Sequence, residues 1–208
     1  MFSLQRILGQ DKKFFELLEA SAAEAQSSIM ALKQALNNVQ ATPNLAAFVA
    51  PRRRDKKITN EISELLCKTF VTALEREDIE ALSAVLYKIP KTVEKFAERY
   101  AITFDRVRDV DFSRHLELLE RAVTLVKEMV QRLHNQDLKG LVELNAQLQK
   151  VEADGDHLIQ ELNIELYSGK YDPLKAIILK DLFELLERTI DRCRSAGNVM
   201  YRIALKHS

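Results

Sequence analysis

The stretch LELLERAVTLVKEMVQRL, residues 116–133, decides the fold: Leu116, Leu119, Val123, Val126, Val130 and Leu133 recur at spacings of 3, 4, 3, 4, 3. An α-helix turns every 3.6 residues, so this spacing lays six apolar side chains along one stripe and predicts a bundle seam. Residues 141–162 repeat the pattern with Leu141, Leu144, Leu148, Val151, Gly155, Leu158 and Leu162. The connection between the two, His134 to Asp137, is short, which makes the helices antiparallel neighbours and places Asp137 as an N-cap. Asp172 followed by Pro173 is a second start signal, a capping residue before the residue best tolerated in the first helical turn. It predicts a helix running to about Lys206.

Working toward the N-terminus, the same periodicity predicts helices from about Asp11 to Asn38, Ala46 to Leu74 and Glu77 to Ala101, six in all. Pro51 and Pro90 fall inside two of them, where each removes a backbone donor; kinks, or a later helix start at Pro51, are expected. Ile102 to Asp111 reads as the connector between halves. Only 5 Gly and 4 Pro punctuate the chain, too few turns for a many-stranded β-protein, so the fold class is all-α. Lys and Arg number 31 and so do Asp and Glu, which argues against a strongly basic nucleic-acid binder. No apolar run approaches the roughly 18 residues that span a bilayer, and MFSLQRILGQDKKFF lacks the apolar region of a signal peptide, so a soluble cytoplasmic protein is expected. Cys67 and Cys193 lie within apolar helical patterns and form no C-x-x-C pair, so both are read as buried, inert thiols.

Sliding the chain by 100 residues aligns Ile58 with Leu158, Ile62 with Leu162, Leu66 with Leu166, Ile79 with Leu179, Leu82 with Leu182 and Leu86 with Leu186, without a gap. A duplicated three-helix unit, residues 1–101 and 102–208, is the economical reading, within a single domain spanning 1–208. The second half carries Glu152 with Asp156 and Glu187 with Asp191, two i, i+4 pairs that stack carboxylates on one helix face. Such oxygen sets suit hard cations, and Asp154, His157, Glu184 and Asn198 lie nearby in sequence. The plainer alternative is a solvated face whose acids pair with Lys180, Arg188, Arg192 or Arg194.

These paired E/D-x-x-x-D motifs on a duplicated three-helix unit resemble the PhoU-like proteins, in particular the divergent branch that often accompanies Pit-type inorganic phosphate permeases. The matching stretches are DKKFFELLE at 11–19, EREDIEAL at 75–82 and KDLFELLERTIDRC at 180–193. The resemblance implies a six-helix fold of two three-helix bundles and an accessory or regulatory role in phosphate uptake. In some relatives the motifs hold metal clusters, which would here be a divalent or iron-type ion on Glu152, Asp156, Glu187 and Asp191.

The first half departs from this pattern. Arg52, Lys56, Tyr87 and Lys91 stand where the repeat would place Glu152, Asp156, Glu187 and Asp191. Cations do not ligate a hard metal, so any metal is expected in the second half alone. Arg52, Arg53, Lys56, Lys88 and Lys91 instead form a candidate patch for an anion or an acidic partner, unless Asp55 and Glu94 neutralise them.

Nucleotide-binding, zinc-protease and hydrolase-elbow strings are missing, and no His has the Glu three residues earlier that di-iron bundles use. The expectation is a non-enzymatic cytoplasmic adaptor, peripheral to the inner membrane, that binds a Pit-type permease or a phosphate-signalling protein, with homo-oligomerisation open. The alternatives are a carboxylate-bound metal-dependent hydrolase or redox protein, and a purely structural helical oligomer.

Overall fold

The computed structural model describes residues 4–38 and 40–206, with side chains from Lys12 onward. Six helices follow one another: α1 (Leu4–Asn37), α2 (Ala46–Lys68), α3 (Arg76–Val107), α4 (Ser113–His134), α5 (Leu138–Leu166) and α6 (Pro173–Lys206). No strand occurs among the described residues. Helices α1, α2 and α3 pack on one another, as do α4, α5 and α6. Two further pairings, α1 with α4 and α3 with α6, join these groups, leaving α2 and α5 as the outer helices.

The seam predicted in α4 is buried at all six positions, and in α5 Leu141, Leu144, Leu148, Val151, Gly155 and Leu158 are buried while Leu162 is half-buried. The start signals act as the chemistry requires. The Asp137 carboxylate accepts from the Gly140 backbone N–H at 3.0 Å, satisfying one orphan donor of α5. Asp172 does the same for α6, accepting from the N–H groups of Leu174 and Lys175, both at 3.1 Å. Gly155 and Gly197 mark close approaches in this half. A Cβ on Gly155 would meet Ile190 Cδ1 at 3.2 Å, and one on Gly197 would meet Leu148 Cδ2 at 2.6 Å.

Three boundaries differ from the sequence reading, the first being α1, which begins at Leu4 and not near Asp11. Helix α3 runs on to Val107 because Phe104 and Val107 are buried, so the connector shrinks to residues 108–112. Helix α2 stops at Lys68, and Thr69 to Glu75 form a loop in which Arg76 donates to the Thr69 carbonyl. The start of α2 at Ala46 is as expected, not later at Pro51, and both Pro51 and Pro90 are buried within continuous helices. The cysteines divide: Cys193 is fully buried, whereas Cys67 lies on the exposed side of α2.

Candidate functional site

The outer helix α5 and the inner helix α6 meet along a polar seam. Glu152 on α5 accepts from Arg194 Nε on α6 at 3.1 Å, and Arg194 also donates to Asn145 Oδ1 at 2.7 Å. Burial holds the Glu152 carboxyl above its ordinary range against the pull of Arg194, and the charges of Asp156 and Asp191 raise it further. On α6, Glu187 is pushed up to about 7, first by burial, then by the charge of Asp191 and a hydrogen bond to it, then by Asp156. Two carboxyl groups hydrogen-bond only when one carries a proton, and the raised pKa of Glu187 makes it the group that holds it. The four acids singled out by their spacing thus act on one another across α5 and α6.

Their neighbours in sequence turn elsewhere. Asp154 faces Arg121 of α4 at 4.0 Å, Glu184 pairs with Lys180, and His157 and Asn198 are exposed. Arranged in this way the acids do not form a ready cation cage: among the described residues no three His, Cys, Asp or Glu groups stand close enough to hold a metal ion. The donor set is chemically right for a hard cation, but Arg194 already serves as the counter-ion of Glu152, and burial beside Asp191 favours the protonated form of Glu187. A metal would have to displace both.

The first half carries the same seam with its charges exchanged. Arg52 on α2 pairs with Glu94 on α3 and hydrogen-bonds Tyr87. These positions, 52 and 94, lie 100 residues before 152 and 194, so an Arg–Glu pair in one half corresponds to a Glu–Arg pair in the other. Of the predicted basic patch, Arg52 is therefore engaged, while Arg53, Lys56, Lys88 and Lys91 are exposed.

Asp55 does not neutralise these cations. It is fully buried, and neither carboxylate oxygen has a well-formed hydrogen bond. Its pKa rises to about 7 through burial, with the Ser21 hydroxyl of α1 pulling it down and Glu24 pushing it up. Taking Asp55 as a surface partner of these cations concealed this. The signal was the phase of α2, whose buried residues Phe48, Pro51, Asp55, Ile62 and Leu66 put Asp55 in the apolar stripe. His115 was also missed: burial and Arg114 push its imidazole down to about 4, its Nε2 has no hydrogen-bond partner, and its ring lies 4.7 Å from that of Phe183.

No family model matches the chain. UPF0111 protein YkaA of Bacillus subtilis is 27% identical over 146 residues, which cover 69% of this chain and 70% of that protein. A crystal structure of a PhoU-like protein from Shewanella oneidensis superposes with a TM-score of 0.73 at 16% identity, over 92% of this chain and 99% of the other. A second protein of that organism, assigned as a PhoU-like phosphate regulatory protein, gives 0.71 at 17% identity over 93% and 99%. The six-helix arrangement is therefore the PhoU-like fold, and the resemblance seen in the sequence motifs extends to the whole architecture.

Proposed function

We propose that this chain of PhoU-like fold is a regulatory protein of inorganic phosphate transport, acting without catalysis by binding a Pit-type permease or a phosphate-signalling protein. The observation that carries this reading is similarity over nine-tenths of the chain to two Shewanella proteins, one of them assigned as a phosphate regulator. Partial similarity to YkaA accompanies it. A helical bundle acts on a partner by presenting a side-chain surface, which suits regulation by contact. No helix among the described residues is long and apolar enough to cross a membrane.

Glu152, Asp156, Glu187 and Asp191 are the residues that would hold a divalent or iron-type cation in this reading. The ion would supply an electrostatic clamp between α5 and α6. Phosphate uptake in a deletion strain, complemented with the wild-type chain, tests the function. The expected result is altered uptake restored by complementation, together with recovery of the permease or signalling protein in a pulldown. Normal uptake in the deletion strain and no such partner would refute it. Metal content by plasma mass spectrometry, beside Glu152→Gln/Asp156→Asn/Glu187→Gln/Asp191→Asn, tests the cation separately: bound metal lost in the variant is expected, and a metal-free wild-type chain after reloading removes the clamp.

A further inference from the structure

Arg52, Glu94 and Tyr87 mark the seam where α2 lies on α3. Lys56 is one turn beyond Arg52 on α2, and Lys91 lies one turn from both Tyr87 and Glu94 on α3, so the two lysines flank this seam. Lys88 and Lys95 sit one turn to either side of Lys91, and Arg53 and Lys57 extend the row on α2. All six of Arg53, Lys56, Lys57, Lys88, Lys91 and Lys95 are exposed, and none has a hydrogen-bond or ion-pair partner among the described residues. The acids within these stretches offer no compensation, since Asp55 is buried and Glu94 is taken by Arg52. A chain of zero net charge thus concentrates unpaired positive charge on one two-helix face.

The geometry points to this α2–α3 face as a docking surface for an anionic lipid bilayer. Five of its six free cations are lysines, compact and strongly hydrated charges on flexible stems, which are depleted from protein interfaces and suited to a diffuse field of headgroups. A single phosphate ion would call for convergent, seated donors such as bidentate arginine, and Arg52, the arginine at the centre, already binds Glu94 and Tyr87. From Lys88 to Lys95 the row extends about 10 Å along α3, wider than one phosphate group. The basic row itself carries no exposed large apolar residue, Phe70 and Val71 lying in the loop after α2 and Ile102 two turns beyond Lys95 on α3, so the contact is electrostatic and needs no insertion. This inference is independent of the phosphate reading, because lipid alone suffices to test it.

The experiment is co-sedimentation of the full chain with phosphatidylcholine vesicles and with vesicles that also contain phosphatidylglycerol. Binding to the anionic vesicles only, lost at high salt, is expected. Lys56→Gln/Lys91→Gln should weaken partitioning about 30-fold, and Lys56→Arg/Lys91→Arg should retain it. Both lysines are exposed and unpaired, so unchanged thermal melting of the variants verifies that the fold is intact. No binding to anionic vesicles, equal binding to neutral ones, or a Gln variant that binds like wild type would each overturn the inference. So would release by inorganic phosphate but not by chloride of equal ionic strength, which would mark a phosphate site, and capture of an acidic protein by the same lysines without vesicle binding.

Discussion

Asp55 places an ionisable group where the bundle wants an apolar one. From α1 it meets the Ser21 hydroxyl and the Glu24 charge, and neither of its carboxylate oxygens has a well-formed hydrogen bond. Its folded pKa of about 7 lies above the ordinary 3.8, so the fold favours the protonated form. The sign follows directly: stability is undiminished below about 3.8, erodes as the pH rises, and has lost its full amount above about 7. A shift of this size is worth on the order of 4 kcal/mol. Asp55→Asn keeps the shape, removes the ionisation and leaves the Ser21 hydroxyl a partner. Urea unfolding should therefore find the variant up to about 4 kcal/mol more stable than wild type near pH 8, with little difference near pH 4. Equal stabilities at both pH values would show that the carboxylate is solvated in solution.

At the scale of helices, α5 and α6 approach closely at Gly197, where the absent side chain makes room for Leu148, Asn145 and Met129. Gly197→Ala gains about 1 kcal/mol in helix propensity but forces Leu148 aside at a cost of about 1–3 kcal/mol. The net should be a loss of about 1 kcal/mol in chemical unfolding; a more stable variant would show that Leu148 yields freely. Because Asn145 also accepts from Arg194, the displacement reaches the polar seam. The seams of α4 and α5 and the starts at Asp137 and Asp172 were legible in the sequence because each depends on residues within one or two turns. The extension of α3 through Phe104 and Val107 was not, since those side chains are buried by neighbouring helices rather than by a local pattern. The pairing of Glu152 with Asp156 and of Glu187 with Asp191 followed from i, i+4 spacing, whereas the meeting of the two pairs depends on how α5 packs against α6. The Arg194–Glu152 and Arg52–Glu94 pairs join residues 42 apart on different helices and became visible only once packing fixed the faces.

Over the whole molecule, one apolar cluster runs through all six helices, and the pairings of α1 with α4 and α3 with α6 carry it across the two halves. Ion pairs follow the same route: Lys33 with Glu120 at 2.8 Å, Lys175 with Asp109 at 3.1 Å, and Lys206 with Glu75 and Asp78 at 2.6 and 2.9 Å. Exposed pairs contribute little each, so the shared core is what should couple the halves. Calorimetry should show one transition with an enthalpy of about 145 kcal/mol near 60 °C and a matching van't Hoff value. A van't Hoff enthalpy near half of that would mean the halves melt separately.

The unequal cysteines also give the molecule an experimental handle. Cys193 is sealed in the core with its thiol pushed up to about 12, whereas Cys67 is exposed on α2, the helix that shares the basic face. Thiolate is the reactive form, so a maleimide dye should modify the native chain once and the denatured chain twice. The unaltered protein thus accepts a single fluorophore on its outer helix, from which the arrival of a binding surface can be read as a change in emission without substituting a residue.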